Sequence, residues 1–416
     1  MKKYKLKELL TIKNGKDHKE LPDGKFPVYG SGGLMRYVNE FLYDKESILL
    51  PRKGTLSNIQ YVNTPFWTVD TLYYTVVDTK KVNTFYLYYL IKQFDLSKLN
   101  TGTGVPSMTF DAYYDLEVCI PDILMQNRIA DILKSLDSKI ALNNRINTEL
   151  EAMAKTVYDY WFVQFDFPFD FAQGKPSAAG KPYKSSGGKM VWREELKREV
   201  PEGWEVGELS DLAISIIRGI SPKYIEDNGI CVLNQKCIRD NSINYESSRR
   251  HDNKIKDASA RFIKCGDILV NSTGFGTLGR VAFVKWLQEE SITVDSHVTI
   301  VRPNEKIINS EYLAYSVQYK QTEIENMAEG STGQTELSRV KLGSLKVIIP
   351  SKELQQNFAA IVKPQIQKIA NNQQENQQLS SLRDWLLPML MNGQVKVGEV
   401  EAEVLRAAEP GVEYGE

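Results

Sequence analysis

Residues 68–77 read TVDTLYYTVV and residues 293–302 read TVDSHVTIVR, 225 positions further on. An echo of this kind is either local or the visible part of a long repeat, and an overlooked repeat misassigns a whole fold. Working outward, the match persists. YKLKEL from Tyr4 is echoed by WEVGEL from Trp204, ESILL from Glu46 by GDILV from Gly266, and NTFYLYYLI from Asn83 by NSEYLAYSV from Asn309. TGTG ending at Gly104 is echoed by GSTG ending at Gly333, and CIP ending at Pro121 by IIP ending at Pro350. The separation grows from 200 at the first pair to 229 at the last, as it does when surface loops differ in length between copies of one module. Each copy reads as short strands punctuated by Gly, Asn and Pro with one helix, a compact mixed α/β module.

The chain has 416 residues, enough for two or three domains. Hydrophobic residues make up 42% and charged ones 25%, the composition of a globular protein. No apolar run reaches the roughly 18 residues of a membrane span, and the basic opening MKKYKLKELL lacks the apolar stretch of a signal peptide. A cytoplasmic protein with no membrane partner is expected. Cys119, Cys231, Cys237 and Cys265 show no C-x-x-C spacing and His18, His251 and His297 no H-E-x-x-H pair, so no metal is expected. The formal net charge is −1. Any affinity for nucleic acid must then come from local patches or from partners.

After each module the apolar pattern changes to that of a long helix, over residues 124–162 and 354–388. Ile140, Asn143, Asn147 and Leu150 continue a heptad seam in the first, and Ile369, Asn372, Asn376 and Leu379 occupy the matching places in the second. Polar residues in a seam lower stability but fix register and partner; the alternative is that these asparagines face solvent. Two equivalent helices can pair antiparallel about a pseudo-twofold axis. Roughly 30 packed residues at about 1.5 Å each give a spacer of about 45 Å, or about 13 base pairs of duplex at about 3.4 Å each. Pro364 is expected to break or kink the second helix. The expected fold class is α+β: two repeated mixed modules separated by a pair of coiled-coil-like helices. The expected division is 1–122 first module, 123–165 first helix, 166–203 a partly mobile Gly/Pro/Ser/Lys-rich connector, 204–351 second module, 352–392 second helix and 393–416 a frayed acidic tail.

Residues 271–280, NSTGFGTLGR, contain G-x-G-x-x-G after a strand-like run. A dinucleotide loop needs a helix next, to hold the pyrophosphate at its N-terminus. RVAFVKW follows instead, with the alternation of a strand, so a hairpin is predicted. The first copy has PRKGTLSNIQ at this place and lacks the second and third glycines, which argues against a shared cofactor site.

Two similar modules, each followed by a long helix, carry FPVYGSGG (26–33), PRKGT (51–55), GKPYKSSGGKMVW (180–192), PEGWE (201–205) and LLPMLMNGQV (386–395). In this order they resemble the DNA specificity subunit of type I restriction-modification enzymes over nearly the entire chain. The resemblance implies two target recognition domains, each reading one half of a bipartite double-stranded DNA sequence, with the helices setting the gap. It implies two modification subunits carrying S-adenosylmethionine and methylating adenine, and restriction subunits using ATP and Mg, with no cofactor in this chain. Consistently, the sequence has no N/D-P-P-Y/F tetrapeptide, no G-x-x-x-x-G-K-[ST] loop and no nuclease carboxylate cluster, so the chain is expected to be non-catalytic. Competing classes are a nucleotide- or S-adenosylmethionine-binding enzyme and a protein-only scaffold.

Base reading in the major groove needs paired donors and acceptors, Arg or Lys for guanine and Asn or Gln for adenine, while phosphate contacts fix orientation. In the first module the candidates are Tyr29, Ser31, Arg36, Arg52, Lys53 and Thr55. In the second they are Asn234, Gln235, Lys236, Arg239, Ser272, Thr273, Thr277 and Arg280. TGTGVPS (101–107) and GSTGQTE (330–336) are further candidate loops or simply turns, and SSRRHDNKIK (247–256) is either a phosphate-holding strip or a solvated face.

Overall fold

The computed structural model describes residues 1–99, 106–274, 276–329, 335–395 and 397–398. The Gly330–Gly333 echo, most of the TGTGVPS and GSTGQTE loops and nearly all of the acidic tail lie outside the described residues. The chain forms two compact units, one from residues 1–142 with 375–416, the other from residues 143–374. Both boundaries fall inside the long helices, so the units cut across the linear division expected from sequence.

In the first unit a four-stranded antiparallel sheet runs in the order Leu10–Asn14, Leu72–Val77, Ser47–Pro51, Gln60–Val62. The central strand SILLP is buried at every position, as a continuous apolar run requires when both faces are covered. Trp67–Thr68 pairs in parallel with Asp23–Gly30, which forms a hairpin with Gly33–Val38. Lys2–Lys5 pairs with Glu117–Ile120.

The second unit repeats this plan. Its antiparallel sheet runs Ala213–Arg218, Val298–Pro303, Ile268–Asn271, Val281–Phe283. Ile230–Leu233 pairs in parallel with Ile292–Val294, and Glu205–Glu208 pairs antiparallel with Lys346–Ile349. The echo at the start of each module is corrected by the backbone. The Leu6 amide bonds the Leu116 carbonyl as the Leu209 amide bonds that of Leu345, so Leu6 corresponds to Leu209, and the lettered match of YKLKEL to WEVGEL is out of register.

The longest helix of each module among the described residues, Thr84–Lys92 or Ser310–Tyr319, is capped by the side chain of Asn83 or Asn309, and shorter helices such as Phe110–Tyr114 and Arg339–Gly343 accompany it. A buried glutamine locks each cap to the start of a long helix. Gln126 accepts from the Asn83 amide at 2.9 Å and donates to the Pro121 carbonyl at 2.9 Å; Gln355 accepts from the Asn309 amide at 2.9 Å and donates to the Pro350 carbonyl at 2.8 Å.

The long helices are Ile123–Tyr158, extended by a π-helical turn at Asp159–Val163, and Lys352–Met391. The second runs unbroken through Pro364, contrary to the expected break. Pro364 and Ala360 are both exposed, so the carbonyl that loses its intrahelical donor is left to water. Within each unit a segment of one helix packs against a segment of the other. In the first, Leu133 and Leu136 share a core with Leu379, Leu386 and Leu390, and Asp137 and Lys139 pair with Arg383 at 2.9 Å and Glu375 at 3.3 Å. In the second, Phe162 meets Phe358 edge to face with ring centroids 5.2 Å apart, and Asn147 meets Asn372. Partner numbers fall as the first helix advances, so both packings are antiparallel. Asn143, Asn147, Ile369, Asn372 and Leu379 are buried and Ile140, Leu150 and Asn376 half-buried, which places the predicted seam inward.

The connector carries paired strands and a buried aromatic cluster. Pro168–Asp170 pairs with Lys175–Pro176 and Lys181–Pro182, and Met190–Arg193 with Arg198–Pro201. Phe167 stacks between Tyr183 and Trp204, with centroids 4.7 and 5.3 Å away, and buried Asp166 accepts from the Ser185 amide and hydroxyl at 2.7 and 2.6 Å. Aromatic burial outweighs the flexibility that the Gly and Ser content implied.

Candidate nucleic-acid interface

In both copies the residues that follow the parallel strand meet the glycine of a sheet hairpin. In the first, Ser31 follows Asp23–Gly30 and Gly54 follows Ser47–Pro51; a Cβ on Gly54 would lie 3.1 Å from Ser31 Oγ. In the second, Gln235 lies just beyond Ile230–Leu233 and Gly274 beyond Ile268–Asn271, where a Cβ would lie 2.1 Å from Gln235 Oε1. Both glycines have positive φ, 93° and 104°, open to glycine at no steric cost. Two loops distant in sequence therefore form one surface on each module.

On the first surface Asn58 donates to the Ser31 carbonyl at 2.7 Å and Gln60 to the Gly30 carbonyl at 3.0 Å, ties that the sequence reading missed. Lys53 and Thr55 are exposed, and Arg52 donates to the Asp70 carbonyl at 3.3 Å. No carboxylate pairs with Arg52 or Lys53 among the ion pairs of the described residues. Two other candidates are structural. Arg36 Nη2 bonds Asp23 Oδ1 at 2.7 Å and the Leu21 carbonyl at 2.9 Å, bracing its hairpin. Tyr29 packs against the Leu49, Val62, Phe66 and Leu72 cluster, and burial raises its hydroxyl pKa.

The second surface is the glycine-rich hairpin. Val281–Phe283 continues from it as a strand, with no helix to hold a pyrophosphate. The alternation expected of RVAFVKW is absent, because residues 281–284 are all buried. The Asn271 side chain fastens the turn to the neighbouring loop, donating to the Gln235 and Thr277 carbonyls at 2.9 and 3.1 Å. Arg280 arches back to the Gly276 carbonyl at 2.8 Å, and Thr277 Oγ1 lies 3.4 Å from Gln235 Oε1. Lys236 and Arg239 are exposed, Arg239 beside the equally exposed Asp240 at 3.4 Å. Thr273 Oγ1 lies 2.6 Å from His297 Nδ1, and the His297 amide donates to Asp295 at 2.9 Å. His297 is an exposed member that no sequence motif signalled. Burial raises the Asp295 carboxyl pKa.

Two expected readers, Ser272 and Asn234, are already held by local polar groups. Ser272 is fully buried against Thr299 Oγ1 at 2.5 Å. Asn234 donates to the Ser247 carbonyl and accepts from the Lys236 amide, both at 2.8 Å. In SSRRHDNKIK, Arg249 covers the Tyr224 ring, Arg250 pairs with Glu289 at 2.6 Å, and His251 is buried with Nε2 2.7 Å from the Lys256 carbonyl.

A family model described as the type I restriction modification DNA specificity domain matches residues 1–152 and 201–381, one match per module. The chain belongs to this family. Specificity subunits among its relatives include that of the MjaIX type I restriction enzyme of Methanocaldococcus jannaschii, 24% identical over 86% of this chain and 80% of that one. The HindI specificity subunit of Haemophilus influenzae is 27% identical over 72% of this chain and 73% of the relative. The crystal structure of an S subunit of a type I system from M. genitalium matches with a TM-score of 0.58 at 18% identity, covering 94% of this chain and 95% of that one, and so shares the fold. As a specificity-family chain it carries no group of three or more His, Cys, Asp or Glu placed to hold a metal among the described residues. Likewise, no described helix is long and apolar enough to cross a membrane.

Proposed function

We propose that the two modules read the two halves of a bipartite duplex target, the first through Arg52, Lys53 and Thr55, the second through Gln235, Lys236, Arg239, Thr273, Thr277 and Arg280. The observation that supports this reading is the duplicated meeting of loop and hairpin, Ser31 with Gly54 and Gln235 with Gly274. Each presents donors suited to base edges and phosphates. The paired helices set the gap between the halves, and two modification subunits carrying S-adenosylmethionine supply the methyl transfer. Restriction subunits using ATP and Mg supply cleavage. This chain contributes recognition without chemistry of its own. With a formal net charge of −1, it depends on those partners for much of its phosphate affinity.

The test is a single-molecule methylome of cells expressing the cognate modification subunit with and without this chain. A split motif methylated in both halves, present only with the chain, is the expected result. Formation of the complex with no such motif would overturn the reading. Inserting one helical turn into both long helices should change the gap and leave both halves intact.

A further inference from the structure

The first module carries an apolar feature beside its donors. Leu34, Met35 and Tyr37 are 51%, 56% and 50% exposed, three large side chains within four residues of one strand. Clustered apolar exposure marks a contact surface. The backbone holds it out: pairing slips between Val28 and Tyr29, with Arg36 opposite Val28 and Leu34 opposite Tyr29, so Met35 is the extra residue of a bulge. Gly30 makes room for it, since a Cβ there would lie 2.7 Å from Met35 Sδ.

The same turn touches the Arg52–Thr55 loop through Ser31 and Gly54, so the apolar patch is continuous with a surface bearing the cations Arg52 and Lys53. An apolar strip beside cations matches one feature of duplex DNA. Phosphates line the edge of the major groove, and the 5-methyl group of thymine is the apolar group displayed on its base edges. In the second module the stretch at the same distance past the parallel strand, residues 237–240, has two apolar members, Cys237 and Ile238, and both are fully buried, so no exposed apolar strip lies there.

We infer that Leu34 and Met35 read thymine 5-methyl groups in the half-site of the first module. This rests on the two-reader function proposed above and assigns that half-site its thymine contacts. The full chain, copurified with its modification subunit, is titrated with duplexes carrying the methylated bipartite motif, and deoxyuridine then replaces every thymine of the first half-site. Binding is expected to weaken about fourfold for each methyl group lost from contact. The Leu34→Ser/Met35→Ser variant should bind thymine and uridine duplexes alike. Equal binding of the two duplexes by the unaltered complex overturns the inference while leaving bipartite reading intact, and needs no variant to fold. Loss of modification-subunit assembly in the variant, with uridine silent, identifies the patch as a protein contact and also overturns it. Failure to bind any bipartite duplex defeats the two-reader function itself.

Discussion

Asn372 Nδ2 donates to Asn147 Oδ1 at 2.8 Å, with both amides withdrawn from solvent between the two long helices. A polar pair in an apolar seam stabilises less than leucines would but penalises every shifted register, since a slip leaves both amides unsatisfied. Asn372→Leu alone strands the Asn147 carbonyl oxygen and should lower the unfolding free energy by about 1–3 kcal/mol in urea titrations. Asn147→Leu together with Asn372→Leu should recover that loss. Equal losses in the single and double variants would show that the hydrogen bond is not what the seam requires.

Gln355 joins the cap of the Ser310–Tyr319 helix to the start of the second long helix, and Gln126 does the same for Thr84–Lys92. Gln355→Ala should speed amide hydrogen exchange across residues 310–319 and leave residues 84–92 unchanged. Gln126→Ala should do the reverse. Each loss should be about 1–3 kcal/mol, the cost of an unsatisfied buried amide.

Three arginines separate reading from bracing. Arg52→Ala should change the methylated motif in its first half only, and Arg280→Ala in its second half only, each weakening discrimination by about 1–3 kcal/mol. Arg36→Ala removes an ion pair to a largely exposed Asp23. It should leave both halves of the motif unchanged and lower stability by about 1 kcal/mol or less. A motif altered in both halves by either of the first two variants contradicts separate readers.

Asp295 has a carboxyl pKa raised chiefly by burial. The folded state therefore holds its proton to a higher pH than the unfolded chain does, and stability falls as pH rises from the ordinary carboxylate value through the raised one. Ionising this buried carboxyl therefore opposes folding. Asp295→Asn keeps an oxygen for the His297 amide and should raise the thermal midpoint at pH 7 with little effect at pH 3. A variant less stable than the parent at pH 7 would mean that the charge itself is needed by its neighbours.

The repeat and the helices were legible because they rest on patterns that burial imposes directly. The Ile-Leu-Leu of SILLP and the Ile-Leu-Val of ILVN are apolar since they lie in central strands, and the seam asparagines recur because both helices meet the same demand. The glycine hairpin was legible from the strand that follows it. The individual readers were less so. Ser272 is occupied by Thr299 and Asn234 by Ser247, partners whose proximity exists only after folding. The folded connector had a visible signal that Gly and Ser content obscured, the alternating Phe165, Phe167, Phe169 and Phe171. The glutamine locks had one too, since Gln126 and Gln355 each lie five residues beyond the proline of CIP or IIP.

Leu379, Leu386 and Leu390 belong to the same core as Leu133 and Leu136, so the second unit is nested within the sequence of the first. During synthesis the inner unit, residues 143–374, is complete before the last strip of the outer one leaves the ribosome. The module made first is thus finished last, and its leucine stripe waits uncovered while more than half of the chain is still being made. Closing so long an interval adds little entropy per added residue, but the wait is set by elongation at about 5–20 residues per second. Nascent chains of this protein should therefore need protection at residues 123–142 until the stripe of Leu379, Leu386 and Leu390 has been made and the first unit has its full core.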